Sequence, residues 1–156
     1  MTPLFHIIHI TEAHSINMRM LTDTNVFVRL AVVADDDRQL NQAKRLFEQA
    51  QAGNVNLVTG PPVLFEVAWV LSRLYKRAGN EVLDFLEAIL SFPNLKVLDK
   101  ELVIEAVSLA RRTGGTFADS YIAASVRRAE VDNVATFNKK HFAKLGVKLY
   151  PMEDLY

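Results

Sequence analysis

Arg19-Met20-Leu21-Thr22 is a short apolar run that ends directly at Asp23, and this junction decides how the rest of the chain is interpreted. A run of this kind is typical of a buried strand, and the pattern of residues 25–33 predicts that a helix follows at once. The same succession recurs along the chain: a short strand-like run, then turn residues, then an amphipathic helix. The sequence therefore predicts alternating strands and helices.

The predicted strands are short and the helices are longer. We expect strands at 19–22, 55–58, 95–98, 133–136 and 147–150, and helices at 25–33, 39–52, 63–77, 81–92, 100–112, 117–129 and 139–145. No hairpin signal such as Asn-Gly joins two strand-like runs. The fold class is therefore α/β, a three-layer α/β/α sandwich around a mostly parallel sheet.

Composition limits the classes of protein to consider. The chain has 156 residues, of which 50% are hydrophobic, so it can form one domain with a single sizeable core. It has no cysteine, which excludes disulfides, thiolate zinc sites and a cysteine nucleophile, and suits a cytoplasmic location. The formal net charge is zero. Any contact with nucleic acid must therefore depend on a local basic surface.

The N-terminal stretch is expected to lie outside the domain. The apolar segment Leu4-Phe5-His6-Ile7-Ile8-His9-Ile10 is too short to span a bilayer and lacks the flanks of a signal peptide. Met18 and Met20 stand directly before the first strand. We therefore expect residues 1–17 to be either a disordered extension or the product of a misassigned start, and residues 18–156 to form one domain without a membrane segment.

Four polar residues stand where predicted elements begin or end: Asp23, Glu66, Asp119 and Asn138. Each has an ordinary local explanation. Asp23 can cap the helix that follows it, and Asp119 can join Thr116 in a short-acid capping box. Glu66 can interact with a helix dipole, and Asn138 can form an Asx turn. The apolar neighbours of Glu66 argue against a simple solvated charge.

Their joint placement indicates a functional site. In an open parallel sheet the carboxyl ends of the strands meet at one edge, so these four residues are expected to lie together. Three close carboxylates repel unless a cation neutralises them, and oxygen ligands favour Mg²⁺ or Mn²⁺ over zinc. Such an ion could support hydrolysis of a phosphodiester. Asp23 and Asp119 are the expected direct ligands, with Glu66 a ligand or a water-orienting base.

Basic residues that could contact a nucleic-acid strand are numerous. Arg29 and Lys139 are the candidates closest to the acidic edge. Most of the others lie near predicted helix C-termini, where the helix dipole alone explains a cation. These other candidates are Arg73, Lys76, Arg77, Arg111, Arg112, Arg127, Arg128, Lys140 and His141.

Four segments together resemble the PIN domain family, and in particular its VapC-type ribonuclease toxins. They are Leu21-Thr22-Asp23-Thr24-Asn25, Val63-Leu64-Phe65-Glu66-Val67-Ala68-Trp69-Val70-Leu71, Phe117-Ala118-Asp119-Ser120-Tyr121-Ile122-Ala123-Ala124 and Ala135-Thr136-Phe137-Asn138-Lys139-Lys140-His141-Phe142. Each segment is weakly informative alone, but their order and spacing are specific. The resemblance covers residues 18–156.

The resemblance implies an activity and partners. It implies an endoribonuclease that depends on Mg²⁺ or Mn²⁺, commonly a homodimer, inhibited by a small antitoxin protein whose tail fills the active-site groove. Asp23, Glu66 and Asp119 match the acidic positions of the family, whereas Asn138 stands where many relatives have aspartate. We expect substrate contacts from Thr24, Arg29, Thr136 and Lys139.

Two alternatives stay open. A haloacid-dehalogenase-type phosphatase also has an aspartate after its first strand, but it needs a second aspartate where this chain has Asn25. A non-catalytic PIN-like binding module is favoured if the uncharged Asn138 leaves the site unable to bind a metal.

Overall fold

The sheet of this fold has three parallel strands, β1 (Met18–Leu21), β2 (Val55–Thr59) and β3 (Leu95–Val97), in the order β1-β2-β3. They belong to a computed structural model that describes residues 18–32 and 37–155. Parallel neighbours need long crossover connections, and helices provide them here. The predicted α/β class with a parallel sheet is confirmed.

Helices make up most of the described chain. They are α1 (Thr24–Ala31), α2 (Asp37–Gln51), α3 (Pro61–Arg73), α4 (Gly79–Ser91), α5 (Lys100–Thr113), α6 (Phe117–Arg128) and α7 (Lys139–Lys144), followed by a 3₁₀ turn at Met152–Leu155. Helices α1 and α2 connect β1 to β2, and α3 and α4 connect β2 to β3.

The three strands end at the same level because the last residues of β2 form backbone hydrogen bonds with the chain on both sides. The Thr22 backbone N–H donates to the Val58 carbonyl at 2.8 Å, and the Leu98 N–H donates to the Thr59 carbonyl at 2.9 Å. Helix α1 begins directly after the first of these bonds, and α3 begins two residues after Thr59. The N-termini of both helices therefore lie at the carboxyl edge of the sheet.

Apolar side chains pack the helices onto the sheet. Leu57 on β2 is fully buried, together with Phe27 on α1 and Leu64 on α3. Phe47 on α2 contacts Phe27 and Phe92, with ring centroids 5.7 Å and 5.0 Å apart in edge-on geometry. These contacts fix α1 and α3 relative to β2, and with them the residues at the start of each helix.

The prediction of a fourth and a fifth strand was wrong. Where residues 133–136 and 147–150 meet, the structure has one isolated parallel bridge between Val134 and Leu149. The segment around the bridge is largely solvent-exposed, and Phe137 is 87% exposed. The apolar residues Val134, Val147 and Leu149 pack against a second, smaller buried cluster on α5, α6 and α7. The sheet is therefore three-stranded in the described residues.

Two further expectations concern the end of α3 and the N-terminal residues 1–17. Helix α3 ends at Arg73, four residues earlier than predicted, because the chain turns through Lys76 with a left-handed φ of 53°. The expectation for residues 1–17 lies outside the described residues. Among those described, no helix is long and apolar enough to cross a membrane.

Candidate active site

Asp23 connects β1 to α1 and caps the helix. Its backbone is extended, with φ −85° and ψ 166°, and its Oδ1 accepts a hydrogen bond from the Thr24 N–H at 2.7 Å. This bond satisfies one of the N–H groups that a helix leaves without a partner at its N-terminus. The residue is exposed. One carboxylate oxygen therefore has a structural role, while Oδ2 remains for another ligand.

Thr24 connects the first acid to the second. Its side chain is 6% exposed, and its hydroxyl donates to Glu66 Oε2 at 2.8 Å. Glu66 lies in the second turn of α3 and is itself exposed, between buried Leu64 and Val67. The expectation of an apolar environment for Glu66 was therefore wrong, because its buried neighbours Leu64 and Val67 lie on a different face of the helix. We call Asp23, Thr24 and Glu66 the Asp23 unit.

Asp119 lies in the first turn of α6. Its backbone N–H donates to the Thr116 hydroxyl at 3.1 Å, which confirms the predicted Thr116 cap. Its side chain is 22% exposed, and Oδ2 lies 3.4 Å from His141 Nδ1. The helix N-terminus stabilises the negative charge of this carboxylate.

Asn138 precedes α7 and contacts the same imidazole. Its Nδ2 lies 2.9 Å from His141 Nδ1, and its backbone N–H donates to the Thr136 hydroxyl at 2.9 Å. The Thr136 hydroxyl therefore helps to fix the loop before α7. We call Asp119, Asn138 and His141 the Asp119 unit.

Aromatic packing joins α3 to α6 and so relates the two units. The Phe65 ring, next to Glu66 in sequence, lies 5.3 Å from Phe117 and 4.9 Å from Tyr121 by ring centroids. Both partners are two residues from Asp119 along α6. Burial raises the pKa of the Tyr121 phenol above its ordinary value, as expected beside these rings.

The acids lie in two separate units rather than in one closed cluster. Within residues 18–32 and 37–155, no group of three or more His, Asp or Glu side chains is placed to share one metal ion. Direct hydrogen bonds link Asp23 to Thr24 and Thr24 to Glu66, and polar contacts link Asp119 to His141 and His141 to Asn138.

The predicted acids differ from other acids of the chain in their charge partners. Among the described residues, none of Asp23, Glu66 and Asp119 forms an ion pair with arginine or lysine. By contrast, Arg111 pairs with acids on α4 at 2.8 Å and 3.0 Å. Exposed carboxylate oxygens without a fixed cation suit a hard divalent ion. The donor set therefore fits Mg²⁺ or Mn²⁺ in its chemistry.

The basic candidates have different partners. Arg29 Nε donates to the neutral Gln39 Oε1 at 2.7 Å, so this bond leaves the guanidinium charge uncompensated. Lys139 Nζ instead donates to Glu153 Oε2 at 2.7 Å, in the C-terminal 3₁₀ turn. The Lys139 ammonium holds the pKa of the Glu153 carboxyl below its ordinary value, chiefly through this hydrogen bond.

His141 is the site residue that the sequence did not single out. It was only one of the general basic candidates, like Lys140, whereas Lys139 was expected to lie closer to the acidic edge. The available signal was its position three residues after Asn138, since residues i and i+3 lie on one side of a helical turn. His141 therefore reaches the acidic edge together with Asn138.

Comparison with known proteins finds one family match and similar individual proteins. The PIN domain family matches residues 20–148. Among curated proteins, the chain is similar to a VapC ribonuclease of Aquifex aeolicus (strain VF5), with 25% identity over 135 residues that cover 86% of this chain and 98% of that protein. Among solved structures it is similar to Mycobacterium tuberculosis VapC20, a sarcin-ricin loop cleaving toxin, with 19% identity, a TM-score of 0.35, and coverage of 80% and 93% of the two chains.

The hydrogen bond between Thr24 and Glu66 should appear as a coupling energy. In a double-mutant cycle of Thr24→Val and Glu66→Ala, measured by urea unfolding at pH 7, we expect about 1 kcal/mol of coupling. This is less than the roughly 1.5–3 kcal/mol of a hydrogen bond to a charged group, because Glu66 is exposed. The matched cycle of Thr136→Val and Glu66→Ala should show no coupling, since the Thr136 hydroxyl bonds to the Asn138 backbone. Coupling near zero in the first cycle contradicts the contact.

Lys139→Gln should raise the pKa of Glu153 towards its ordinary value, because it removes the ammonium that donates to the carboxylate. Lys140→Gln is the matched control and should leave that pKa unchanged. A carboxyl titration by NMR measures both. A carboxyl whose pKa is lower in the folded state than in the unfolded state adds to the free energy of unfolding above the unfolded-state pKa. That contribution is lost as the pH falls through the folded-state pKa, and the loss should be smaller in Lys139→Gln. An unchanged Glu153 pKa in Lys139→Gln contradicts the pairing.

Proposed function

This chain belongs to the PIN domain family, and we propose that it is a metal-dependent endoribonuclease that acts as the toxin of a toxin-antitoxin pair. The observation that carries the proposal is the charge distribution at the carboxyl edge of the sheet. Asp23, Glu66 and Asp119 come from three separate elements, and none has an arginine or lysine partner among the described residues. The similarity to a protein named as a VapC ribonuclease supports RNA as the substrate.

Asp23, Glu66 and Asp119 would hold the cation, which is Mg²⁺ or Mn²⁺ in this proposal. When bound, such an ion neutralises the carboxylates, attracts a phosphodiester and activates a water for hydrolysis. The two units would have to draw together around it, since no three of these side chains are placed to share an ion as they stand.

The protein side chains position the reacting groups. Thr24 restrains the Glu66 carboxylate by donating to one of its oxygens, which leaves Oε1 for the ion or for a water. Asp23 is restrained by its own cap bond to α1. Preorganised ligands of this kind reduce the entropy that must be lost when the substrate binds.

Arg29 is the stronger candidate for contact with the RNA backbone. Its partner Gln39 is neutral, so its charge is available to a phosphate, whereas the charge of Lys139 is opposed by Glu153. Thr24 and Thr136 complete the proposed substrate contacts. With a net charge of zero, the chain offers such contacts locally and not over its whole surface.

The partners of the proposed toxin are a small antitoxin protein and a second copy of the chain, acting in the cytoplasm. Exposed apolar side chains near the end of α3 support protein contacts: Trp69 is 56% exposed and Leu74 is 63% exposed. Two observations favour a second candidate, a non-catalytic PIN-like binding module. The uncharged Asn138 stands where many relatives have aspartate, and no three acids are gathered within the part of the chain that the structure describes.

Asp23→Asn should abolish RNA cleavage without unfolding the protein. Asparagine caps a helix about as well as aspartate, so we expect the free energy of unfolding to change by less than about 0.5 kcal/mol. Loss of a charged ligand should lower the rate by at least about 100-fold, since even outer-shell changes cost roughly 10–100-fold. The measurement is cleavage of a fluorescent RNA under single-turnover conditions with Mg²⁺ or Mn²⁺.

Asp132→Asn is the matched control, because Asp132 is exposed and lies on the loop after α6. It should cleave like the unmodified protein. Cleavage by Asp23→Asn at an undiminished rate contradicts the proposed nuclease. If the unmodified protein binds neither ion by calorimetry and cleaves no RNA, the binding module is the better assignment.

A further inference from the structure

A cavity of about 310 Å³ lies between α1 and α2 and has a polar wall. Asn25 on this wall is two residues after Asp23, in the first turn of α1, and Arg29 follows one turn later. Helix α2 contributes Gln39 and Gln42. The volume is at the small end of the roughly 300–1,000 Å³ of ligand sites in proteins. The cavity therefore suits one small group bound next to the acidic edge.

A hydrogen bond between the two helices organises the polar wall. Arg29 Nε donates to Gln39 Oε1 at 2.7 Å. Both side chains can bond further, because a guanidinium has several N–H groups and the Gln39 amide still has its own N–H donors. The side-chain amides of Asn25 and Gln42 have no hydrogen-bond partner within residues 18–32 and 37–155. The wall therefore offers a ligand both donors and acceptors.

The rest of the lining is apolar. Val26, Ala43 and Leu46 contribute it; Ala43 is buried, and the other two are half-buried. Among the described residues, no carboxylate lines the cavity. A flat aromatic ring can pack its face on such a surface and direct its polar edge to the amides. A phosphate would use the guanidinium alone, so the lining as a whole fits a heterocyclic base better than an anion.

We propose that this cavity holds a purine base of the RNA strand, next to the phosphodiester that is cut. The inference rests on the proposed function, because it takes RNA as the substrate. Recognition of an RNA sequence uses unpaired bases, whose hydrogen-bonding edges are open to side chains. Asn25 and Gln42 would bond the edge of the base, and Arg29 has N–H groups for the adjoining phosphate as well as for the base.

The polar groups of the wall are the types that pair with purines. Arginine donates to O6 and N7 of guanine, and asparagine or glutamine pairs with N6 and N7 of adenine. Cytosine is recognised by a carboxylate that accepts from its amino group, and the described lining has none. A purine should therefore be preferred over a pyrimidine at this position of the RNA.

Nuclear magnetic resonance of the isotopically labelled full chain tests the proposal without reference to cleavage. We expect adenosine and guanosine monophosphate to shift the side-chain amide signals of Asn25, Gln39 and Gln42, each assigned by its loss in the alanine variant. Cytidine and uridine monophosphate, and inorganic phosphate, should leave these signals nearly unchanged. Gln51 is the matched control amide, because it lies on the same helix but lines a different cavity, and its signal should not move.

Gln42→Ala connects the cavity to the choice of RNA. Gln42 is exposed and has no side-chain partner among the described residues, so the variant should fold, and circular dichroism checks this. With an RNA of randomised sequence, we expect the unmodified protein to favour a purine at one position beside the cut. Gln42→Ala should reduce this preference by about fivefold or more, as for the loss of one base-recognising pair. Gln51→Ala is the matched control and should keep the preference.

The outcomes separate the inference from the proposed function. RNA cleavage with the same base preference in the unmodified protein and in Gln42→Ala overturns the base site and leaves the nuclease standing. Amide shifts that inorganic phosphate reproduces, or that all four nucleotides produce equally, also overturn the base site. Purine-dependent shifts in a protein that cleaves no RNA support base binding and contradict the nuclease.

Discussion

The parallel pairing of β2 with both of its neighbours is the constraint on which the candidate site depends. At the last residues of β2, the Val58 carbonyl accepts from Thr22 and the Thr59 carbonyl accepts from Leu98. These bonds bring the chain exits of all three strands to one edge, because parallel strands share a direction. Asp23 follows its strand by two residues, and Glu66 follows β2 after a short turn and one helical turn. Without this register, Asp23 and Glu66 would not both accept hydrogen bonds from Thr24.

Helix capping and ion binding are compatible uses of the same side chains. Asp23 caps α1 through Oδ1, and the Thr116 hydroxyl caps α6, so that the Asp119 side chain is not needed for capping. The local explanation is therefore correct for Asp23 as a helix cap, and it does not exclude a functional role for that residue. A carboxylate held at a helix N-terminus is both restrained and stabilised in its charged form. The edge of the sheet thus carries fixed negative charge that lacks a partner among arginine and lysine in the described residues.

Local sequence patterns predicted the first three strands and the seven α-helices of the described residues to within a few residues. The predictions were correct where one face of an element is buried, because burial places apolar residues at regular intervals in the sequence. Leu57 on β2 and Leu64 on α3 are examples. The predictions failed at 133–136 and 147–150, since strand formation there depends on how much surface a neighbouring element covers, and Val134 and Leu149 form only an isolated bridge. Strand pairing is a tertiary property that apolar runs alone do not specify.

The sequence indicates which acids belong to the candidate site, but it does not indicate which side chains contact one another. Asp23, Glu66 and Asp119 follow from strand ends and helix starts. The link from Thr24 to Glu66 spans 42 residues, and the approach of His141 to Asp119 depends on where α7 packs. Such contacts follow from helix packing, which a single sequence does not encode in any local period.

The central claim is that the acids of both units serve one cation at the carboxyl edge of the sheet. The most direct test is a crystal structure of the full chain with Mn²⁺, with the ion located by its anomalous scattering. The account predicts one ion bonded to carboxylate oxygens of both Asp23 and Asp119, at about 2.0–2.4 Å from each. An ion bound away from these residues, or Asp23 and Asp119 held too far apart to share one, would contradict it.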